Sequence, residues 1–147
     1  MENSIRRKTI QPAKTFKVFG ETVEILVTTE STNGSFCMLV QTSPPGGGPP
    51  PHLHKFEDEI FTVIEGEFEL FDGEQWKGLP PGEHAHTLRD QVHTFRNCGK
   101  TAGKILCVAV DGRLDEYLEA ISPLELPRDM PRLLELSEKY GISFTSP

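Results

Sequence analysis

The 147-residue chain has no apolar run approaching the roughly 20 residues that a bilayer-spanning helix requires. It also lacks a surplus of cations. Fifteen Lys and Arg against 22 Asp and Glu give a formal net charge of −7, whereas nucleic-acid phosphates and anionic lipid surfaces call for the opposite balance. Neither a nucleic-acid partner nor a membrane partner is expected. The N-terminal stretch carries Arg6, Arg7 and Lys8, but no apolar segment follows them, so a secretory leader is not indicated and the cytoplasm is the expected location. Cysteine is scarce: Cys37, Cys98 and Cys107 form no Cys-x-x-Cys pair, and an odd count without a leader implies reduced thiols. Cys37 and Cys107 sit in apolar runs (SFCMLV, ILCVAV) and read as buried structural thiols, with no neighbour in sequence to activate either.

Helical spacing is missing from the first 111 residues, and no internal repeat is found. What fills that stretch is a series of short β-branched and apolar runs separated by Gly, Pro and Asn: ETVEILVTT, SFCMLVQT, EIFTVIEGEFELF, EHAHTL, VHTFRN and KILCVAV. Many short strands with such punctuation predict an all-β sandwich or barrel over approximately residues 17–111. Pro44 to Pro51 are all proline or glycine. The segment before them is too short to build a core of its own, so the block is read as a rigid loop within one domain covering 1–147, not a linker. A helical extension over 112–147 follows. Leu114, Leu118 and Ile121 recur on one helix face, and a second helix is expected from an Asp129 N-cap, with Pro131 in its first turn, to Gly141, burying Leu133, Leu136 and Tyr140.

All five histidines fall between positions 52 and 93. His52 and His54 are two apart, so on a strand both imidazoles point to one face and are able to converge on one ion. Glu59 lies five residues beyond His54, an odd offset, so Lys55 to Asp58 must turn before Glu59 faces the same way. Phe61 and Val63 would then share its face as walls of an apolar pocket, and His93 would approach from another strand with Phe95 and Asn97 on its side. Three imidazoles and one carboxylate suit one divalent transition ion (Fe, Mn, Ni, Co, Cu or Zn) with coordination positions left open for a substrate. Glu57 and Asp58 are expected to be turn and solvent residues. His84 and His86 also share a face; the surface reading is favoured over one in which they line the cavity and handle protons.

The stretch Gly46, His52, His54, Glu59, Gly66 resembles the first cupin motif, G-x5-H-x-H-x4-E-x6-G, at every fixed position. Gly82, His93 and Asn97 match the second motif, G-x5-P-x-G-x2-H-x3-N, with Leu88 and Asp90 standing where proline and glycine are usual. Aspartate tolerates left-handed backbone, so the turn before His93 is expected to survive. Together with DEIFTVIEGEFEL and the terminal YGISF, the chain is similar to single-domain cupins of the quercetin-dioxygenase-like kind. That resemblance implies a double-stranded β-helix (jelly-roll) barrel, a homodimer, a metal held by His52, His54, Glu59 and His93, and a small-molecule substrate with dioxygen beside it. It implies a dioxygenase acting on a flavonol- or enediol-type substrate, with Glu59 as both ligand and catalytic base and Phe61, Val63 and Phe95 around the substrate. A metal-dependent isomerase or decarboxylase, and a non-catalytic small-molecule-binding protein, remain as alternatives on the same scaffold.

Overall fold

Two-residue alternation governs which side chains reach the interior. It is plainest in Gly103–Val110, where Gly103, Ile105, Cys107 and Ala109 are buried and the residues between them are not. The computed structural model describes residues 11–145; the basic cluster Arg6, Arg7 and Lys8 lies outside them. The strands are β1 (Lys14–Val18), β2 (Glu21–Val27), β3 (Phe36–Ser43), β4 (His52–His54), β5 (Asp58–Glu65), β6 (Phe68–Phe71), β7 (Trp76–Leu79), β8 (His84–Thr87), β9 (Thr94–Asn97), β10 (Gly103–Val110) and β11 (Ile142–Phe144), with helices α1 (Leu114–Ile121) and α2 (Met130–Lys139) before the last.

One layer is an antiparallel sheet in the order β1-β2-β3-β10-β5-β8. The opposing layer contains β7-β6-β9 and the pair β4-β11. A bridge between His52 and His93, with reciprocal backbone bonds of 3.1 and 2.9 Å, joins these two pieces into one surface. The layers meet through aromatic rings: Phe61 of β5 lies 5.8 Å from Phe95 of β9, which in turn lies 6.0 Å from Phe68 of β6. Such offset and edge contacts add to the burial of the rings themselves. The result is an all-β, double-stranded β-helix barrel with two short helices at one end.

The proline–glycine block is stitched into this barrel. Gly46 N–H donates to Asn97 O, Asn97 N–H donates to Gly47 O, both at 2.8 Å, and the Asn97 amide donates to Ser43 O at 2.9 Å. Asn97 thus clasps the loop to β9. The expected helical extension is present but ends differently: β11 turns back and pairs antiparallel with β4, setting Ile142 beside His54 and Phe144 beside His52. In α2, Pro131 occupies the first turn and Leu133 and Leu136 are buried as expected. Tyr140 is only half-buried, and the third buried residue is Ser137, which donates to Leu133 O at 2.7 Å and so accepts the Tyr117 hydroxyl at 2.8 Å. Asp129 stands at the N-cap without capping the helix with its side chain; its carboxylate accepts the Glu125 N–H instead.

Asp115 pins α1 to the barrel. It is buried, and its two oxygens accept the Thr29 N–H at 2.9 Å and the Thr29 hydroxyl. Asp115→Ala is expected to leave both donors unpaired in the interior and to destabilise the protein by about 2–4 kcal/mol. The midpoint of urea unfolding checks this; a midpoint equal to wild type would mean that water reaches Thr29.

Candidate metal centre

His52 and His54 lie on β4 with one residue between them, so both project inward, and the bridge to His52 brings His93 alongside on the same face. The chain reverses at Lys55 to Glu57, and β5 then alternates Glu59, Phe61 and Val63 toward the interior. The turn needed for Glu59 to face the histidines is therefore present. One ligand-type atom from each of His52, His54, Glu59 and His93 lies within 4.8 Å of all the others. Glu59 Oε1 is 2.8 Å from His54 Nε2 and 3.0 Å from His93 Nε2, and Glu59, His54 and His93 are each at most 3% exposed. Asp90, in the turn before His93, adopts φ 64°, as expected of an aspartate where glycine is usual.

The outer nitrogens of the three rings decide what the inner ones offer. His52 Nδ1 faces Pro50 O at 2.8 Å, His54 Nδ1 faces Glu57 Oε1 at 2.7 Å, and His93 Nδ1 faces Gln91 O at 2.9 Å. Carbonyl and carboxylate oxygens only accept, so each Nδ1 must carry the hydrogen, and each neutral ring presents an Nε2 lone pair. Those lone pairs confront the Glu59 carboxylate, which also only accepts. His54 Nε2 is buried and has no hydrogen-bond partner among the described residues, although Glu59 Oε1 stands 2.8 Å away. A cation among the four groups resolves this conflict, and the donor set of three imidazoles and one carboxylate is that of a divalent transition ion.

Without an ion, a proton takes the cation's place. Burial disfavours a charged His54, but Glu59 and Glu57 outweigh it and raise its pKa to about 10. Burial likewise disfavours an ionised Glu59, yet His54 and His93 hold its carboxyl well below the usual range. His52, desolvated and beside the other two rings, is pushed down to about 3. A protonated His54 thus stands against an ionised Glu59, and the positive charge sits where a bound cation would place it.

Glu57 corrects the sequence reading. Expected in solvent, it is 2% exposed and holds the His54 ring; Asp58 is half-buried and accepts the Arg89 N–H at 3.0 Å. The available signal was a carboxylate three residues from a histidine, across the turn that returns the chain to the same face. Cys107 is buried as expected, but its thiol donates to Glu59 Oε2 at 3.2 Å. His84 and His86 are exposed on the outer face of β8, His86 Nε2 lying 3.8 Å from Asp58 Oδ2.

A cavity of about 420 Å³ opens onto the cluster. Phe61 and Phe95 line it beside His52, His54 and Glu59, and Leu118, Ile121 and Leu133 of the helices cover it. Val63, expected as a third pocket wall, is instead buried in the core at 2% exposure and is not among the lining residues. The alternation that puts Val63 inward is right, and at its level of the sheet Ile105 and Gln41 on the neighbouring strands line the cavity instead. No Lys or Arg lines the cavity among the described residues.

The cupin domain family matches residues 39–109, a span containing all four clustered side chains and Glu57. Quercetin 2,3-dioxygenase of Bacillus subtilis (strain 168) is 28% identical over 97 residues, which cover 66% of this chain and 28% of that protein. The chain thus spans little more than a quarter of that relative's length. Among solved structures, an RmlC-like cupin from Shewanella frigidimarina is 18% identical with a TM-score of 0.64, over 79% of this chain and 99% of that one. A polyketide cyclase from Streptomyces resistomycificus is 25% identical with a TM-score of 0.62, over 75% and 82%. No helix among the described residues is long and apolar enough to cross a membrane. The motif spacing, the barrel and the three-histidine, one-glutamate cluster agree with the match of residues 39–109 to the cupin domain family.

Proposed function

We propose that this cupin is a metal-dependent enzyme acting on an apolar small molecule with adjacent chelating oxygens, of flavonol or enediol type, with dioxygen as co-substrate. The observation that carries this reading is the join between the cluster and an apolar cavity that no Lys or Arg lines among the described residues. Apart from the bound ion itself, a sugar phosphate or a small dicarboxylate would find no counter-charge on that lining, whereas an aromatic body packs against Phe61 and Phe95. The likeness to a quercetin dioxygenase over 97 residues supports the same class.

In this reading His52, His54, Glu59 and His93 hold one divalent transition ion (Fe, Mn, Ni, Co, Cu or Zn). The bound ion supplies Lewis acidity, polarising a chelating oxygen and easing loss of its proton. Glu59 accepts that proton at Oε2, the oxygen to which the Cys107 thiol now donates. Burial, and then the Glu59 charge, push the Cys107 thiol well up, so it stays protonated and serves as a donor, not a nucleophile. Phe61 and Phe95 pack against the substrate and keep water from the reacting carbon.

Metal-loaded protein is expected to consume dioxygen with flavonols or other enediols faster than the free ion does. No uptake above that background, with any of these six ions, removes the dioxygenase reading. A second reading, a Lewis-acid isomerase, cyclase or decarboxylase in which oxygen takes no part, is favoured by the likeness to the polyketide cyclase. Substrate turnover that survives strict anaerobiosis assigns that class.

A further inference from the structure

Glu21 opens β2 and lines the same cavity, yet it belongs to no part of the metal cluster. It is 6% exposed. Its Oε1 accepts the Ser43 hydroxyl at 2.8 Å and the Gln41 amide at 3.3 Å, while its Oε2 is buried with no partner among the described residues. Burial raises its pKa from the ordinary carboxyl value, with the two hydrogen bonds acting in the opposite direction. A buried carboxyl oxygen left unpaired is costly, and a core position would be cheaper to fill with an apolar side chain. The proline–glycine loop packs close beside it: a Cβ at Gly47 would stand 3.0 Å from Glu21 Oε2 and 2.9 Å from Pro44, so only glycine fits there without a shift.

The strand register separates this carboxyl from the cluster. Glu59 aligns through Ala109 with Cys37 on β3, whereas Thr22 pairs with Thr42, placing Glu21 beside Ser43. From Cys37 to Ser43 the offset is six residues, roughly 20 Å along the strand at the usual rise and less across the curled sheet. The cavity therefore has a polar pole at each of two separated places and apolar walls between them.

We propose that Glu21, steadied by Ser43 and Gln41, is a second anchor of the cavity, taking a hydroxyl or amino donor on the end of the substrate remote from the metal cluster. The substrate class is thereby narrowed to molecules that chelate with two oxygens at one end, are apolar in the middle and carry a hydrogen-bond donor at the other. This rests on the reading of the cluster as a metal site.

Paired n-alkyl and ω-hydroxyalkyl hydroxamic acids, from hexyl to tetradecyl, test both layers, because a hydroxamate chelates the ion and the chain measures the cavity. With cobalt-loaded protein, a terminal hydroxyl is expected to weaken binding on short chains and to strengthen it about tenfold at the length that reaches Glu21, as for a hydrogen bond to a charged group. Glu21→Met is expected to remove that gain at every length. Glu21→Gln keeps an oxygen for Ser43 and Gln41, so it should fold normally, and it is expected to lose a similar preference for ω-amino chains. Hydroxamates that fail to bind, or bind equally with no metal, sink the metal-site reading itself. Metal-dependent binding with no hydroxyl gain at any length, or a gain that survives in Glu21→Met, overturns the anchor alone.

Discussion

Replacing His54 with alanine is expected to lower divalent-metal affinity by more than about 100-fold. Loss of a hydrogen-bonded partner behind a ligating group already costs roughly 10- to 100-fold, and His54 is placed as a ligand in its own right, 2.8 Å from Glu59 and with its outer nitrogen fixed by Glu57. Elemental analysis of the folded fraction after equilibration with buffered metal reads the effect, and His86→Ala, on the exposed face of β8, serves as the control with full occupancy. Unchanged occupancy in His54→Ala would sink the site assignment. The same variant carries a pH signature. In metal-free wild type, His54 has a folded-state pKa of about 10 against an ordinary 6.5. Its protonation therefore stabilises the fold fully below about pH 6.5, and that contribution disappears as pH rises through about 10. Metal-free wild type should lose thermal stability across that window, while His54→Ala, less stable at the outset because two buried carboxylates have lost their counter-charge, should show a flatter profile. Saturating metal should flatten the wild-type profile as well.

How legible the site was depends on which physics fixes each residue. Parity along a strand is local, so the shared faces of His52 with His54, and of Glu59 with Phe61 and Val63, follow from spacing alone. The barrel followed from the same local signal, strand after strand. Where a side chain ends up within a turn is set by what packs against it from elsewhere. Glu57 looks like a polar turn residue in sequence, and only the return of the chain at Gly112 and the His54 ring make its burial possible. β1, β7 and β11 were not expected as strands for a related reason. Ile142–Phe144 has three residues and no periodicity to show, and its partner β4 is distant in sequence. Its consequence is functional, since β11 covers the outer edge of the strand that carries two of the four clustered side chains. Glu21 was invisible as a cavity-lining residue because an acid at the start of a strand ordinarily faces solvent. What turns it inward is its place in the alternation with Val23 and Ile25, both fully buried.

The largest effect from a position that is no ligand is expected at Gly112. Its φ is +64°, a conformation L side chains rarely adopt, and a Cβ there would overlap Glu57 Oε2 and stand 2.8 Å from Glu57 Cδ. Gly112→Ala must therefore displace the Glu57 carboxylate, in addition to a backbone cost on the order of 1 kcal/mol. Displaced, Glu57 no longer accepts from His54 Nδ1, and the buried ring loses the bond that fixes its tautomer and orientation. Metal affinity is expected to fall roughly 10- to 100-fold although every clustered side chain is intact. Glu57→Gln, which keeps an acceptor oxygen but removes the charge, should cost less. The coupling is what distinguishes this account from general damage. If Gly112→Ala acts through Glu57, the two substitutions share one effect, and adding Gly112→Ala to Glu57→Ala should lower metal affinity little further. Calorimetric titration of the two single variants and the double variant with one metal gives the cycle. Fully additive losses would show that Gly112 reaches the cluster by another route, and a Gly112→Ala variant with lowered stability but unaltered metal affinity would show that Glu57 does not position His54.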